Sequence, residues 1–335
     1  MREIDIILLF VLINLVIYFS YSNISKFINI YDIPNVRKIH KTKTPLIGGV
    51  IFLLNILFFY FFFNFNFFRN LILNDPLLSN TNFVLLFFAS VSIFILGIVD
   101  DKFDINPNLK LFLLSIIIFV FLYFDNSIII TELRFSFLND NIHIGKYSYF
   151  FSILCFLLFI NACNMFDGIN LQSSSYFLIY ILALSILTNQ NILFFIIIIS
   201  LINICILNYK GKIFMGDSGI YLFSFILGYL IIKTYNYEIL KNADSVFIIM
   251  MVPGIDMLRL FIIRILNKKN PFRPDMLHIH HLLVKKYKYK VSIIFLNLII
   301  LIPIISMYLK INSLFIILTY AISYLLLMKF LKKDL

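Results

Sequence analysis

Long runs of apolar residues recur along this chain and constrain its fold more than any other feature. Each run holds about 17–22 residues, which is the length at which an α-helix crosses the hydrocarbon core of a bilayer. We count eleven runs, at about 3–22, 46–68, 82–99, 109–125, 149–166, 174–189, 191–208, 218–234, 245–266, 291–309 and 312–331. The loops between them are too short for a separate soluble domain. The sequence therefore predicts an all-α integral membrane protein of about eleven transmembrane helices, forming a single polytopic domain over residues 1–335.

The distribution of basic residues predicts how this bundle is oriented. Of the 28 Lys and Arg residues, 21 lie on the side of the loop at 23–45. Because positively charged loops stay in the cytoplasm, that side is predicted to be cytoplasmic. An odd number of spans then places the N-terminus outside and the C-terminus in the cytoplasm. The main outer loop, at 126–148, alternates in a strand-like way and is predicted to form a small hairpin.

The polar clusters that could support chemistry all fall on the predicted cytoplasmic side. They read RKIHKTKTPLIGG (37–49), DDKFDINPNLK (100–110), NACNMFDGIN (161–170), FMGDSG (214–219) and NPFRPDMLHIHH (270–281). A polar site confined to one face disfavours a transport path, which needs polar groups near the midplane. A transporter remains the alternative from another class, since Asp256 and Arg259 lie within a span. Their spacing of three residues predicts that they pair with each other.

Spacing singles out some of these polar residues as site candidates. Asn161, Asn164 and Asp167 recur every three residues and would form one stripe on a helix. The alternative is an ordinary polar helix end. Asp217 lies among small residues before a helix start, where it could approach a ligand closely or simply cap the helix.

The histidines and basic residues extend this set of candidates. His278, His280 and His281 lie beside Arg273, a setting that suits phosphate better than zinc, although a solvated basic loop is the alternative. Lys41 and Lys43 belong to a second basic loop. Carboxylates facing such cations indicate Mg²⁺ acting on a phosphorylated substrate.

Together these five segments, in this order, resemble the polyprenyl-phosphate N-acetylhexosamine-1-phosphate transferases of glycosyltransferase family 4. The resemblance spans residues 37 to about 283. The histidine segment reads H-I-H-H, as in the family members that use UDP-GlcNAc or related sugars. It lacks the three consecutive histidines followed by Phe-Glu of the muramoyl-pentapeptide transferase, which stays the alternative within the family.

The resemblance implies an activity. Such an enzyme transfers a HexNAc-1-phosphate, here expected to be GlcNAc-1-phosphate, from a UDP-sugar to undecaprenyl phosphate and releases UMP. This reaction begins the synthesis of lipid-linked surface glycans such as lipopolysaccharide O-antigen or cell-wall polymers. The expected cofactor is Mg²⁺, with Mn²⁺ as the alternative ion. The expected location is the bacterial inner membrane, with the catalytic face in the cytoplasm. The expected partners are the two substrates and membrane lipid but no nucleic acid, and a homodimer is left open.

The resemblance also implies roles for individual residues. The expected catalytic residues are Asp100, Asp101, Asp167 and His280. The expected metal ligand is Asp217. The expected substrate-binding residues are Lys41, Lys43, Lys110, Asn161, Asn164, Asn170, Arg273, His278 and His281.

One departure from the family pattern concerns the segment after Asp167. The family continues D-G-x-D-G-L, whereas this chain has Asn170 and Leu171 in place of the second Asp and Gly. An amide cannot act as a base or balance the charge of Mg²⁺. Altered selectivity or reduced activity is therefore expected, and a degenerate, non-catalytic relative is a further alternative.

Overall fold

The apolar runs of the sequence form helices throughout the computed structural model, which describes residues 3–34, 42–63, 80–188, 192–270 and 276–332. Without water to bond the backbone, a chain in a bilayer satisfies its peptide groups within helices. The helices are α1 Glu3–Ile28, α2 Gly48–Phe63, α3 Asn80–Phe103, α4 Pro107–Phe124, α5 Ser148–Phe166, α6 Gln172–Leu187, α7 Ile192–Tyr209, α8 Gly216–Asn236, α9 Ala243–Leu266, α10 Ile279–Lys286, α11 Tyr289–Tyr308 and α12 Ser313–Lys332.

All eleven predicted spans coincide with one of these helices, so the all-α membrane class is confirmed. Within the described ranges, nine helices are long and apolar enough to cross a membrane, while α2 and α6 are shorter apolar helices. The number of spans and the side on which each terminus lies remain predictions. The short amphipathic helix α10, which carries two of the histidines, was not predicted.

Two short hairpins complete the described fold. Strands β1 (Tyr31–Asp32) and β2 (Thr44–Pro45) pair antiparallel between α1 and α2. Strands β3 (Glu132–Leu133) and β4 (Ile142–His143) pair antiparallel between α4 and α5, flanked by the 3₁₀ turns Asn126–Ile128 and Gly145–Tyr147. The hairpin predicted within 126–148 is therefore confirmed.

Helix α8 forms the centre of the bundle and is surrounded by α2, α3 and α5. Its 18-residue apolar segment is entirely buried inside the protein. The start of α8 lies so close to α3 that a Cβ atom on Gly97 would be 2.3 Å from the Cα atom of Ser218. Backbone atoms cannot move aside as a side chain can, so only glycine fits at this crossing. This contact holds the last turn of α3 against the first turn of α8.

An amide cluster joins α1, α2 and α7. Asn14 on α1 donates to the side-chain oxygen of Asn55 on α2 over 2.6 Å, and Asn203 on α7 donates to Asn14. Polar side chains in the membrane interior bond one another because lipid offers them no partner. The cluster fixes the packing of these three helices.

Candidate active site

The end of α3 carries the paired aspartates, and the first of them is buried in a polar cage. The Oδ2 atom of Asp100 accepts a hydrogen bond from the Tyr221 hydroxyl over 2.7 Å and pairs with the ammonium group of Lys110. Its Oδ1 atom accepts from the backbone N–H of Ile105 over 2.9 Å. Three donors on one carboxylate stabilise its charged form. Asp100 thereby holds Lys110, in the first turn of α4, against the first turn of α8.

The second aspartate binds the exposed N–H groups at the start of α8. Its Oδ1 atom accepts from the N–H of Asp217 over 2.7 Å, and its Oδ2 atom accepts from the N–H of Ser218 over 3.1 Å. The first turn of a helix has unpaired N–H groups and a partial positive charge, so a carboxylate there is stabilising. The sequence offered Asp217 as the capping residue of this helix, but the structure shows that Asp101 caps it. The carboxylate of Asp217 is therefore available for other contacts.

The Asp217 side chain lies where these elements converge. Asn164, near the end of α5, donates its amide to Oδ1 of Asp217 over 2.6 Å. The Oδ2 atom lies 3.9 Å from the ammonium nitrogen of Lys110, and the side chain is 33% exposed. Five predicted site residues thus meet at one end of the bundle: Asp100, Asp101, Lys110, Asn164 and Asp217.

Asp167 and His280 come together at the turn that follows α5. Asp167 follows the last residue of α5 and is exposed in part. Loss of hydration around its carboxyl group raises its pKa to about 6; the Asp101 charge also raises it, while a Ser173 hydrogen bond opposes the shift. The ring of His280 lies directly against Gly168, where a Cβ atom would be 1.9 Å from Nε2.

The imidazole of His280 is buried, which disfavours its charged form. Burial, together with the neighbouring imidazoles of His281 and His278, lowers its pKa well below the ordinary value for histidine. Its Nδ1 atom lies 3.1 Å from the amide nitrogen of Gln172, at the start of α6. A neutral ring with Nδ1 as acceptor carries its proton on Nε2, the atom that faces the turn at Gly168.

The other two histidines extend this ring into a cluster. The His278 ring is stacked on the His280 ring with centroids 5.3 Å apart, and His281 lies 4.2 Å from His280. The predicted pair of Asp256 and Arg259 is confirmed, with 2.7 Å between Oδ1 and Nη2. The second oxygen of Asp256 lies 2.8 Å from Nδ1 of His278.

The remaining candidates lie apart from this convergence or outside the described residues. Asn161 directs its amide towards the sulfur of Met257, 3.6 Å away, rather than joining Asn164 at Asp217. The backbone carbonyl of Asn170 accepts from the Tyr289 hydroxyl. The Lys43 ammonium lies over the Tyr31 ring, 4.2 Å from its centroid. Lys41 and Arg273 lie outside the described residues.

Three polar residues of the site were missed by the sequence interpretation. Tyr221 follows Asp217 by four residues, so helical spacing could have placed it on the same face. Gln172 and Tyr324 gave no such signal, because each meets its partner only through the packing of distant segments.

The carboxylate of Asp217 is the candidate ligand for a magnesium ion that is shared with a substrate. Among the described residues, no three His, Cys, Asp or Glu side chains are grouped as a complete metal cage. Magnesium commonly takes one or two protein carboxylates together with substrate phosphates and water. Asp217 is partly exposed, with Oδ1 bonded to the Asn164 amide and Oδ2 3.9 Å from the Lys110 ammonium nitrogen, and it offers one carboxylate of that kind.

An apolar groove runs along the bundle towards this site. It has a volume of about 290 Å³ and lies between α5, α8 and α9. One end is lined by Ile130 and Leu133 near the β3–β4 hairpin, and the other by Ala162 and Met257. Ala162 precedes Asn164 by two residues on α5, so this end of the groove lies at about the same depth in the bundle as the polar site, on another side of that helix.

Comparison with known proteins gives consistent matches. Residues 83–235 match the model of glycosyl transferase family 4. The chain is 27% identical to the undecaprenyl-phosphate alpha-N-acetylglucosaminyl 1-phosphate transferase of Escherichia coli O157:H7, over 84% of this chain and 76% of that relative. The protein of the same description from Haemophilus influenzae is 29% identical, over 78% of this chain and 74% of its own length. That from Salmonella typhi is 28% identical, over 77% and 70% respectively.

Proposed function

The chain matches the model of glycosyl transferase family 4 over residues 83–235, and we propose that it belongs to this family and transfers N-acetylglucosamine 1-phosphate from UDP-GlcNAc to undecaprenyl phosphate. The observation that carries this proposal is the meeting of Lys110, three aspartates and Asn164 at one end of the bundle, at about the depth where an apolar groove ends. Such an arrangement suits a reaction between a lipid phosphate and a soluble phosphate compound.

The reaction is a direct phosphoryl transfer. An oxygen of the lipid phosphate forms a bond to the β-phosphorus of the UDP-sugar, while the bond from that phosphorus to the bridging oxygen breaks. The bridging oxygen keeps the electron pair and leaves with UMP. A phosphate monoester is already largely ionised at neutral pH, since its second pKa is about 6. Catalysis then depends on positioning and charge neutralisation more than on a strong base.

The residues at the site have distinct roles in this scheme. Lys110 binds the lipid phosphate, and Asp100 holds Lys110 in place together with Tyr221. Asp101 positions the first turn of α8 and with it the carboxylate of Asp217. The neutral His280 donates its Nε2 proton towards the phosphates near the Asp167 turn.

Asp217 would hold a magnesium ion at this site. The ion would supply positive charge to neutralise the diphosphate and the departing UMP. The Asn164 amide, which donates to Oδ1 of Asp217, orients this carboxylate for that purpose.

The apolar groove accepts the polyprenyl chain of the acceptor. Its lining comes from aliphatic and aromatic side chains of α5, α8 and α9, which suit isoprene units. A lipid lying there would have its phosphate at the end near Ala162. We further propose that this end lies at the cytoplasmic face of a bacterial inner membrane, because UDP-sugars are made in the cytoplasm.

The test is release of UMP by the purified full-length protein. Undecaprenyl phosphate and Mg²⁺ are supplied with UDP-GlcNAc, UDP-GalNAc or UDP-MurNAc-pentapeptide in turn. UDP-GlcNAc is expected to give UMP, and the muropeptide donor none. Asp217→Asn is expected to abolish release, whereas Asp244→Asn, a matched change beside the β3–β4 hairpin, is expected to preserve it. The proposal fails if no donor gives UMP or if Asp217→Asn matches the wild type.

A further inference from the structure

A second buried polar cluster lies beside the carboxylate site and joins the histidine segment to two membrane helices. Asp256 and Arg259 lie on α9, Tyr324 lies on α12, and His278 immediately precedes α10. The four residues are 1%, 9%, 3% and 7% exposed. Burying this many polar groups is expensive unless each is bonded, so the cluster is a specific arrangement rather than a chance contact.

The carboxylate of Asp256 is the centre of the cluster. Its Oδ2 atom lies 2.8 Å from Nδ1 of His278, while its Oδ1 atom accepts from Arg259 Nη2 over 2.7 Å and from the Tyr324 hydroxyl. The same Nη2 of Arg259 donates to the Leu277 carbonyl over 2.7 Å. Both the ring of His278 and the peptide group just before it are therefore held by α9.

Neutralising the charges does not account for all of these contacts. The pair of Asp256 and Arg259 alone would balance one negative and one positive charge. The bond to His278 adds an orientation, because an imidazole bonded to a carboxylate through Nδ1 presents Nε2 in a fixed direction. The His278 ring is stacked within 12° of parallel on the His280 ring, which in turn contacts Gly168. Contacts thus run from α12 to the turn that carries Asp167.

We propose that Asp256 is a positioning residue of the active site, which fixes the ring of His278 and is itself held by Arg259 and Tyr324. The inference rests on the proposed function, because the phosphates to which His278 offers Nε2 are those of the two proposed substrates. It assigns a role in the reaction to α12, the last of the described helices.

The first test compares two tyrosine variants. Tyr324→Phe removes one hydroxyl from the cluster without leaving an unpaired charge. Tyr308→Phe is the matched control, because its hydroxyl donates to the Ala183 carbonyl between α11 and α6, away from the histidines. Tyr324→Phe is expected to lower kcat by up to about tenfold, the worth of one hydrogen bond, with a smaller change in KM. Tyr308→Phe is expected to leave kcat unchanged. Equal kcat values in the two variants would overturn the proposal.

The second test reads the ring of His278 directly. The chain has five histidines, so ¹⁵N-histidine labelling gives few ring signals, and His278→Gln assigns the one of interest. Asp256→Asn is expected to shift the His278 ring nitrogens and to lower kcat by about 10–100-fold, as losses of partners that orient a site residue do. Unchanged His278 signals in folded Asp256→Asn would refute the inference. If that variant does not fold, the His278 ring signals are measured in Tyr324→Phe instead. Unshifted signals in that variant would also refute the inference.

The two tests separate this inference from the proposed function. Should the wild type release no UMP, the proposed function fails, while the ring signals of His278 still decide whether Asp256 orients it. Should the wild type be active and the ring signals stay unchanged, only the positioning role is lost.

Discussion

Replacing Gly168 with alanine tests the contact between the Asp167 turn and the histidine cluster. An added Cβ atom would lie 1.9 Å from Nε2 of His280 and 2.5 Å from both Cδ2 and Cε1. All three contacts are to one imidazole, so it is this ring that must move. His280 is 1% exposed, so no open solvent is available to receive the displaced ring.

The size of the effect follows from the distances. Ordinary van der Waals contact begins at 3.4 Å, so the ring has to retreat by about 1.5 Å and leave its partner Gln172. Overpacking of this kind costs about 1–3 kcal/mol of stability. A misplacement of about 1 Å in a catalytic group can lower the rate about 100-fold. Gly168→Ala is therefore expected to remain folded at reduced stability and to lose about two orders of magnitude or more in kcat.

The assay pairs UMP release with denaturation of the purified protein in detergent. Gly145→Ala is the control, because Gly145 has a φ of +59° and no atom within 4 Å of an added Cβ. It should cost about 1–2 kcal/mol through its left-handed backbone alone, without moving any site residue. A folded Gly168→Ala protein with wild-type kcat would refute the proposed dependence on the His280 position. If both variants lost kcat equally, the fall in kcat would come from reduced stability and not from displacement of His280.

Three further predictions concern the neighbouring residues. Leu171 has a φ of +67°, a left-handed conformation that is unfavourable for a residue with a Cβ atom. Leu171→Gly should therefore be more stable than Leu171→Ala by about 1 kcal/mol. If denaturation shows Leu171→Ala to be the more stable variant, the backbone at this position is not strained. The Asp167 carboxyl, with its pKa raised to about 6, gains a proton as the pH falls through that value. If the Asp167 carboxylate is the catalytically active form, kcat/KM should fall about tenfold for each pH unit below this pKa. A kcat/KM profile that stays flat down to pH 5 would exclude a catalytic role for the carboxylate. Asp101→Ala removes the acceptor for the N–H groups of Asp217 and Ser218 and should lower the free energy of unfolding by about 0.5–2 kcal/mol; unchanged stability would rule out a capping role.

The departure at Asn170 and Leu171 takes a definite form in the structure. Leu171 occupies a left-handed conformation at the position where the family pattern has glycine, and its N–H donates to the Asn208 side chain. The backbone turn is therefore kept despite the lost glycine. Asn170 is held by Tyr289 through its carbonyl, which any residue would offer, so its side chain remains the variable element at this position.

The sequence by itself determined the helices and most of the polar residues that make up the candidate site. Apolar runs of bilayer length must become helices, because a lipid-exposed backbone has no other way to satisfy its hydrogen bonds. The polar residues interrupting those runs are few, so most of the site could be named from their positions. Helical spacing also predicted the pair of Asp256 and Arg259, since both belong to one helix.

The tertiary structure alone decided which of these residues meet and what each one holds. Asp100 meets Tyr221 across 121 positions of sequence, Asp101 meets Asp217 across 116, and both contacts depend on the close crossing at Gly97. Spacing along one helix cannot specify the distance and rotation between two helices, which follow from packing over their whole length. For that reason the sequence could not tell that Asp101 caps α8, that Asn161 turns away from Asn164, or that Asp256 binds His278.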